Sequence, residues 1–153
     1  MIELGHVTDR RPPFRYAAYQ RVGFSETDAQ GVVYYGRYLP YLDVARTEYH
    51  RHLGRLALGS IDFAMRALTV EYVAGARFDD LLEVFVRVER IGTTSITYDH
   101  AAYRIDETGD TLMATAKATL VCIALDERRA VPVPGTFRDQ VMAFEGMPLQ
   151  PPG

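Results

Sequence analysis

The chain has 153 residues, of which 48% are hydrophobic and 24% charged, with 17 basic and 20 acidic side chains giving a formal net charge of -3. That balance excludes the apolar-poor signature of disorder and fits one domain with a substantial core. The basic residues form no continuous stripe of the kind a nucleic-acid backbone needs, and the longest apolar run, Ala118 to Leu125, falls far short of the ~20 residues that span a bilayer.

Residues 1–13 lack an apolar signal stretch and end in Arg-Arg-Pro-Pro, so export is not expected, the location is expected to be cytoplasmic, and this segment is expected to be loose. The same holds for 145–153, which close in Pro-Leu-Gln-Pro-Pro-Gly, and the domain is placed at 14–144. Phe14 to Phe24 reads as a strand. From Tyr38 to Leu53, Tyr38, Leu42, Ala45, Tyr49 and Leu53 recur at spacings of three and four and predict one helix. Pro40 falls in its first turn and Gly54 stops it. The remainder reads as strands at Phe63 to Val73, Leu81 to Ile91, Ser95 to Arg104 and Thr111 to Leu125. Leu82, Val84, Val86 and Val88 alternate with Glu83, Phe85, Arg87 and Glu89, which predicts one buried face and one partly wet face. The fold class is therefore α+β: an antiparallel five-stranded sheet wrapped around one long helix. Its edge and open face call for a homo-oligomer.

No GxSxG, P-loop, GxGxxG or HExxH motif occurs. Cys122 is the single cysteine and is expected in the core. His50 and His52 fall on the last helical turn, where the helix dipole accounts for them. The unusual stretch is 25–38, Ser-Glu-Thr-Asp-Ala-Gln-Gly-Val-Val-Tyr-Tyr-Gly-Arg-Tyr, which sets Asp28 in the loop before the helix. Gly31 and Gly36 stand where the backbone must bend or approach another group. Free N–H groups at a helix start can hold a carbonyl oxygen as it becomes negative, and Asp28 could attack or activate water beside them. Asp28 could equally be a helix cap, since Ser25-x-x-Asp28 and Thr27-x-x-Gln30 both have the form of a capping box.

The run Thr27 to Tyr35, with Tyr38, Ala45-Arg46-Thr47-Glu48-Tyr49, Thr69-Val70-Glu71-Tyr72 and Asp79-Asp80, resembles the hotdog-fold acyl-CoA thioesterases. It is nearest to the branch of 4-hydroxybenzoyl-CoA thioesterase and the Tol-Pal-associated enzymes, and the likeness runs from about Tyr19 to Val131. The resemblance implies an antiparallel sheet around one helix, sites completed between two subunits of a homodimer or homotetramer, and hydrolysis of an acyl-CoA to free acid and coenzyme A. It implies Asp28 as the catalytic carboxylate, nucleophile or general base, and the backbone N–H of Tyr35 as oxyanion donor, with no metal and no cofactor beyond the coenzyme A of the substrate. The Tol-Pal branch often has His where Tyr35 stands, and the basic cluster for coenzyme A phosphates is missing near Gly92-Thr93-Thr94.

Gly31 is assigned to the substrate site, Phe63 and Met65 to the acyl pocket, and Arg90, Arg128 and Arg129 to phosphate binding, against packing and solvation as the plainer roles. Two other readings stay open. The carrier could be an acyl carrier protein, or the fold could be a non-hydrolytic acyl-binding or scaffolding module.

Overall fold

The computed structural model describes residues 2–54 and 58–147. Its elements are β1 (Gly5–Val7), β2 (Tyr16–Arg21), α1 (Tyr38–His52), β3 (Ile61–Tyr72), β4 (Leu81–Ile91), β5 (Ser95–Asp106), β6 (Gly109–Ala124) and α2 (Gly135–Glu145). The strands form one antiparallel sheet in the order β1-β2-β4-β5-β6-β3.

α1 presses its apolar face onto the sheet, burying Tyr38, Tyr41, Leu42, Ala45 and Tyr49. The larger of these side chains contribute roughly 1.5–3 kcal/mol each by burial, so this face and not intrinsic propensity holds the helix. The sheet meets it with Val84, Val86, Val88, Ile96 and Tyr98, and with a run of small residues, Ala114, Ala116 and Ala118, that leaves room for the tyrosine rings. Cys122 is fully buried in the same core.

Three sequence expectations are corrected. The sheet has six strands, because Gly5–Val7, inside the segment expected to be loose, pairs with Tyr16 to Ala18. A second helix, Gly135–Glu145, follows the last strand and buries Phe137, Val141 and Met142. The outer face of β4 is also drier than its alternation predicts. Phe85 packs with Phe14, Ala17 and Ala101, while Glu83 is fully buried and takes His6 Nε2 and Arg10 Nη2, each at 2.8 Å. The N-terminal segment causes this by lying across that face: Arg10 and Arg11 reach Asp110 at 2.9 and 3.0 Å, and the Arg11 guanidinium stands 3.7 Å over the Tyr103 ring. The Pro-rich tail expected to be loose continues into 148–153, outside the described residues.

The order leaves β1 and β3 at the edges. β1 is three residues long, whereas β3 has twelve, with Met65 and Tyr72 nearly half exposed.

Candidate active site

The segment between β2 and α1 is fastened at both ends. Val22 exchanges backbone bonds with Asp79 and Asp80, both at 2.9 Å, and a 3-10 turn spans Phe24–Glu26. Glu26 accepts the Gly23 N–H at 2.8 Å and the Tyr41 hydroxyl at 2.9 Å, tying the segment to α1. The Gly23 N–H, with the Tyr41 hydroxyl, holds this carboxyl below its ordinary range. Glu26 is therefore an ionised anchor, fully engaged.

Asp28 opens the next turn. Its carbonyl accepts the Gly31 N–H at 2.9 Å, its N–H donates to the Val32 carbonyl at 2.8 Å, and Thr27 pairs with Val33 across the narrow loop. Gly31 takes φ +80°, a left-handed conformation that glycine adopts without steric cost. The side chain completes an Asx turn: Oδ1 accepts the Gln30 N–H at 2.8 Å and, more weakly, the Val32 N–H at 3.4 Å. Oδ2 takes no hydrogen bond among the described residues, and the residue is exposed. The capping alternative does not hold. The residue before α1 is Arg37, which makes no side-chain cap, and the 3-10 turn ahead of Asp28 is closed instead by the Gly23 N–H to the Glu26 carboxylate and the Glu26 N–H to the Gly23 carbonyl.

A second 3-10 turn, Tyr35–Arg37, runs directly into α1. The first amides of a helical turn have no acceptor within it, and here these belong to Tyr35 and Gly36. The turn is closed by Arg37 N–H to the Tyr34 carbonyl at 2.9 Å and by Tyr38 N–H to the Tyr35 carbonyl. A cleft of about 300 Å³ opens beside it, lined by Val32, Val33, Tyr35, Tyr38, Tyr72 and Gly75 among others. Val33 N–H donates to the Ala76 carbonyl at 2.7 Å, so the loop after β3 forms the far wall. A larger cleft of about 680 Å³, between the N-terminal segment and the end of α2, contains none of the residues singled out in the sequence.

The remaining residues singled out in the sequence are spread over other parts of the molecule. Phe63 turns toward the core, 5.5 Å from Phe137 and 5.9 Å from His50, and borders a small cleft of about 180 Å³. Met65 is half-exposed beside Leu39, Leu42, Asp43, Arg46 and Leu68, around about 240 Å³ of space. Arg90 is exposed on β4. Arg128 sits at φ +55° in the turn after β6, where its neighbour Arg129 pairs with Glu127. At Gly92 the carbonyl is taken by Arg138 Nη2 at 2.6 Å, from the helix the sequence reading missed. His50 Nε2 lies 2.6 Å from the Tyr98 hydroxyl and His52 Nδ1 3.1 Å from Glu3, so both carry specific contacts beyond any helix-dipole role. Among the described residues no group of three or more His, Cys, Asp or Glu side chains is arranged to hold a metal. Within a single chain, then, the acid loop and the turn ahead of α1 are near in sequence, while the acyl-pocket and phosphate candidates occupy separate sites.

Sequence reasoning quoted Tyr72 within a motif but gave it no role; its hydroxyl donates to the Tyr35 carbonyl at 3.0 Å and its ring centre lies 4.9 Å from that of Tyr35. It also missed Glu26 as the loop's anchor, whose bonds to the Gly23 N–H and the Tyr41 hydroxyl carry no spacing signal of their own.

A family model for the thioesterase superfamily matches residues 30–111, and the chain belongs to that family. The acyl-CoA thioester hydrolase YbgC of Shigella flexneri is 37% identical over 107 residues, covering 67% of this chain and 78% of that protein. The acyl-CoA thioesterase YbgC of Haemophilus influenzae is 33% identical over 120 residues, covering 74% and 85%. Among solved structures, a thioesterase-superfamily protein from Jannaschia sp. CCS1 superposes with a TM-score of 0.81 at 22% identity, over 90% of this chain and 87% of that one. A 4-hydroxybenzoyl-CoA thioesterase mutant complexed with 4-hydroxybenzoyl-CoA gives 0.75 at 23% identity, over 82% and 96%. The hotdog fold expected from the sequence is thus the fold of the chain, with a sixth strand added.

Proposed function

We propose that the chain hydrolyses acyl-CoA thioesters to the free acid and coenzyme A, with Asp28 as its catalytic carboxylate. The observation that carries this reading is the state of that side chain: Oδ1 is held by two backbone amides, while Oδ2 takes no hydrogen bond among the described residues. A carboxylate aimed by one oxygen and free at the other can act on a carbonyl carbon or on a water next to it. Membership of the thioesterase superfamily and the acyl-CoA thioesterase activity of the YbgC relatives support the substrate class.

As base, Oδ2 takes a proton from water, hydroxide adds to the thioester carbon, and the oxygen that gains the charge is held by the Tyr35 N–H. Collapse then breaks the C–S bond and releases the coenzyme A thiolate, which takes up a proton. As nucleophile, Oδ2 itself adds to the thioester carbon, the C–S bond breaks to release the coenzyme A thiolate, which takes up a proton, and water then hydrolyses the acyl anhydride to the free acid and the Asp28 carboxylate. Gly31 permits the tight turn that presents the acid, Phe63 and Met65 shape the acyl pocket, and Arg90, Arg128 and Arg129 meet the phosphates. Asp28 is open to water in one chain, and the long edge strand β3 lacks a neighbour on one side. A homodimer or homotetramer that covers both completes the site. The enzyme works in the cytoplasm and needs no cofactor.

A thiol-release screen across acyl-CoA chain lengths, including benzoyl and phenylacetyl members, with matched acyl-carrier-protein thioesters, tests the reading. Turnover of at least one acyl-CoA is expected. Turnover of carrier-protein thioesters alone would move the substrate class, and no thiol release from any member would leave a non-hydrolytic acyl-binding module.

A further inference from the structure

The 3-10 turn Tyr35–Arg37 buries none of its side chains, so packing does not hold it in place. Hydrogen bonds do. Tyr34 N–H reaches the Glu26 carbonyl at 3.0 Å, which secures the turn to the acid loop. From the sheet side, the Tyr72 hydroxyl donates to the Tyr35 carbonyl at 3.0 Å. Tyr72 is well placed to do so. It is the last residue of β3, paired in register with the buried Ala114 of β6, and its ring stands 5.6 Å from that of the buried Tyr38. Tyr38 is itself fixed, its hydroxyl accepting the Ala76 N–H at 3.4 Å.

The Tyr35 carbonyl and the Gly36 N–H belong to one peptide plane, and the Tyr35 N–H lies across the Cα from it. Holding that carbonyl limits rotation about Tyr35, and so fixes where both free amides point. A donor on the carbonyl also polarises the N–H of the same peptide. Donors fixed before the charge forms need no reorganisation as it develops, which is the larger part of oxyanion stabilisation.

We infer that Tyr72 is a positioning residue for catalysis: it acts through the Tyr35 carbonyl to aim the amide donors at the head of α1. This rests on the proposed hydrolysis with Tyr35 N–H as oxyanion donor. The interaction is made in the resting protein and involves no substrate atom, so it belongs in kcat.

The test is Tyr72→Phe, which keeps the ring and removes only the hydroxyl, with Tyr72→Leu, which removes both. For the Phe variant kcat falls about 10-fold, less than the loss of an oxyanion donor itself, while KM stays within about twofold. Its melting temperature stays close to that of the wild type, since the core is untouched. The Leu variant shows the same or a larger kcat loss. A Phe variant with wild-type kcat overturns the inference, as does a loss confined to KM or accompanied by an equal loss of stability. Activity lost only in the Leu variant would assign the effect to ring packing and also overturn it. Wild-type protein that releases no thiol from any thioester would instead remove the proposed function itself, and this inference with it.

Discussion

The Tyr49 hydroxyl donates to Glu145 Oε2 at 2.6 Å, so a partly buried carboxyl joins the long helix to the short one. The same oxygen accepts the Val88 N–H at 2.9 Å, which adds the sheet to the junction. Burial lifts this carboxyl above its ordinary value of 4.5 despite both bonds. A group raised in the folded state contributes stability that is complete below its unfolded pKa and is lost as pH rises through the folded value. Urea denaturation should therefore show stability falling from about pH 4 toward neutrality and above, and Glu145→Gln should flatten that fall. Tyr49→Phe should cost about 1 kcal/mol, because it strips one of two donors from a partly buried acceptor. A wild-type profile as flat as that of the Gln variant would contradict this account.

His100 shows the opposite sign. It is 1% exposed on β5, and neither ring nitrogen has a partner among the described residues. Burial, with Arg46 nearby, pushes its pKa down to about 3 from 6.5. The unfolded chain binds the proton first, so this residue's contribution is present above about 6.5 and is lost as pH falls toward 3. Replacing it with Leu, close in size, should remove that acid limb and raise stability at neutral pH by about 1 kcal/mol, since two unsatisfied polar atoms leave the core. Denaturant midpoints at two pH values measure both effects, and a marked loss at neutral pH would refute the prediction.

How much of this was legible in the sequence depended on the range of the forces. Tyr38, Leu42, Ala45 and Tyr49 announced α1 because their spacing and their burial follow from one helical period. β4 to β6 were legible for the same local reason. β1 was not, because three residues carry no period and their strand exists only through pairing with Tyr16 to Ala18. The burial of Glu83 and Phe85 was hidden for a related reason: it depends on a segment some seventy residues earlier in the chain folding across them. α2 had apolar positions at Phe137, Val141 and Met142, but a Pro-rich approach and a short length obscured them. In the site, the tight turn at Gly31 could be read from its loop chemistry, the role given to Asp28 came from the family resemblance alone, and the Tyr72–Tyr35 bond joins residues 37 apart that only the sheet brings together.

The N-terminal segment gives a third prediction. Arg10 bridges the fully buried Glu83 and Asp110. Arg10→Ala leaves Glu83 with His6 alone and should cost about 1–3 kcal/mol, less than a fully buried pair because Arg10 itself is half-exposed. Arg129→Ala, which breaks an ion pair exposed on both sides, should change stability by less than about 0.5 kcal/mol. Equal effects from the two variants, read by thermal or urea denaturation, would show that the segment is not clamped through Glu83.

The most direct measurement is thioester hydrolysis by Asp28→Asn at matched fold stability. Asparagine keeps a carbonyl oxygen that can accept the Gln30 N–H, so the turn and the melting temperature should be unchanged. It offers neither an anionic nucleophile nor a base, so kcat should fall by at least about 100-fold. A variant that folds like the wild type and turns over acyl-CoA at a similar rate would show that the chemistry resides elsewhere.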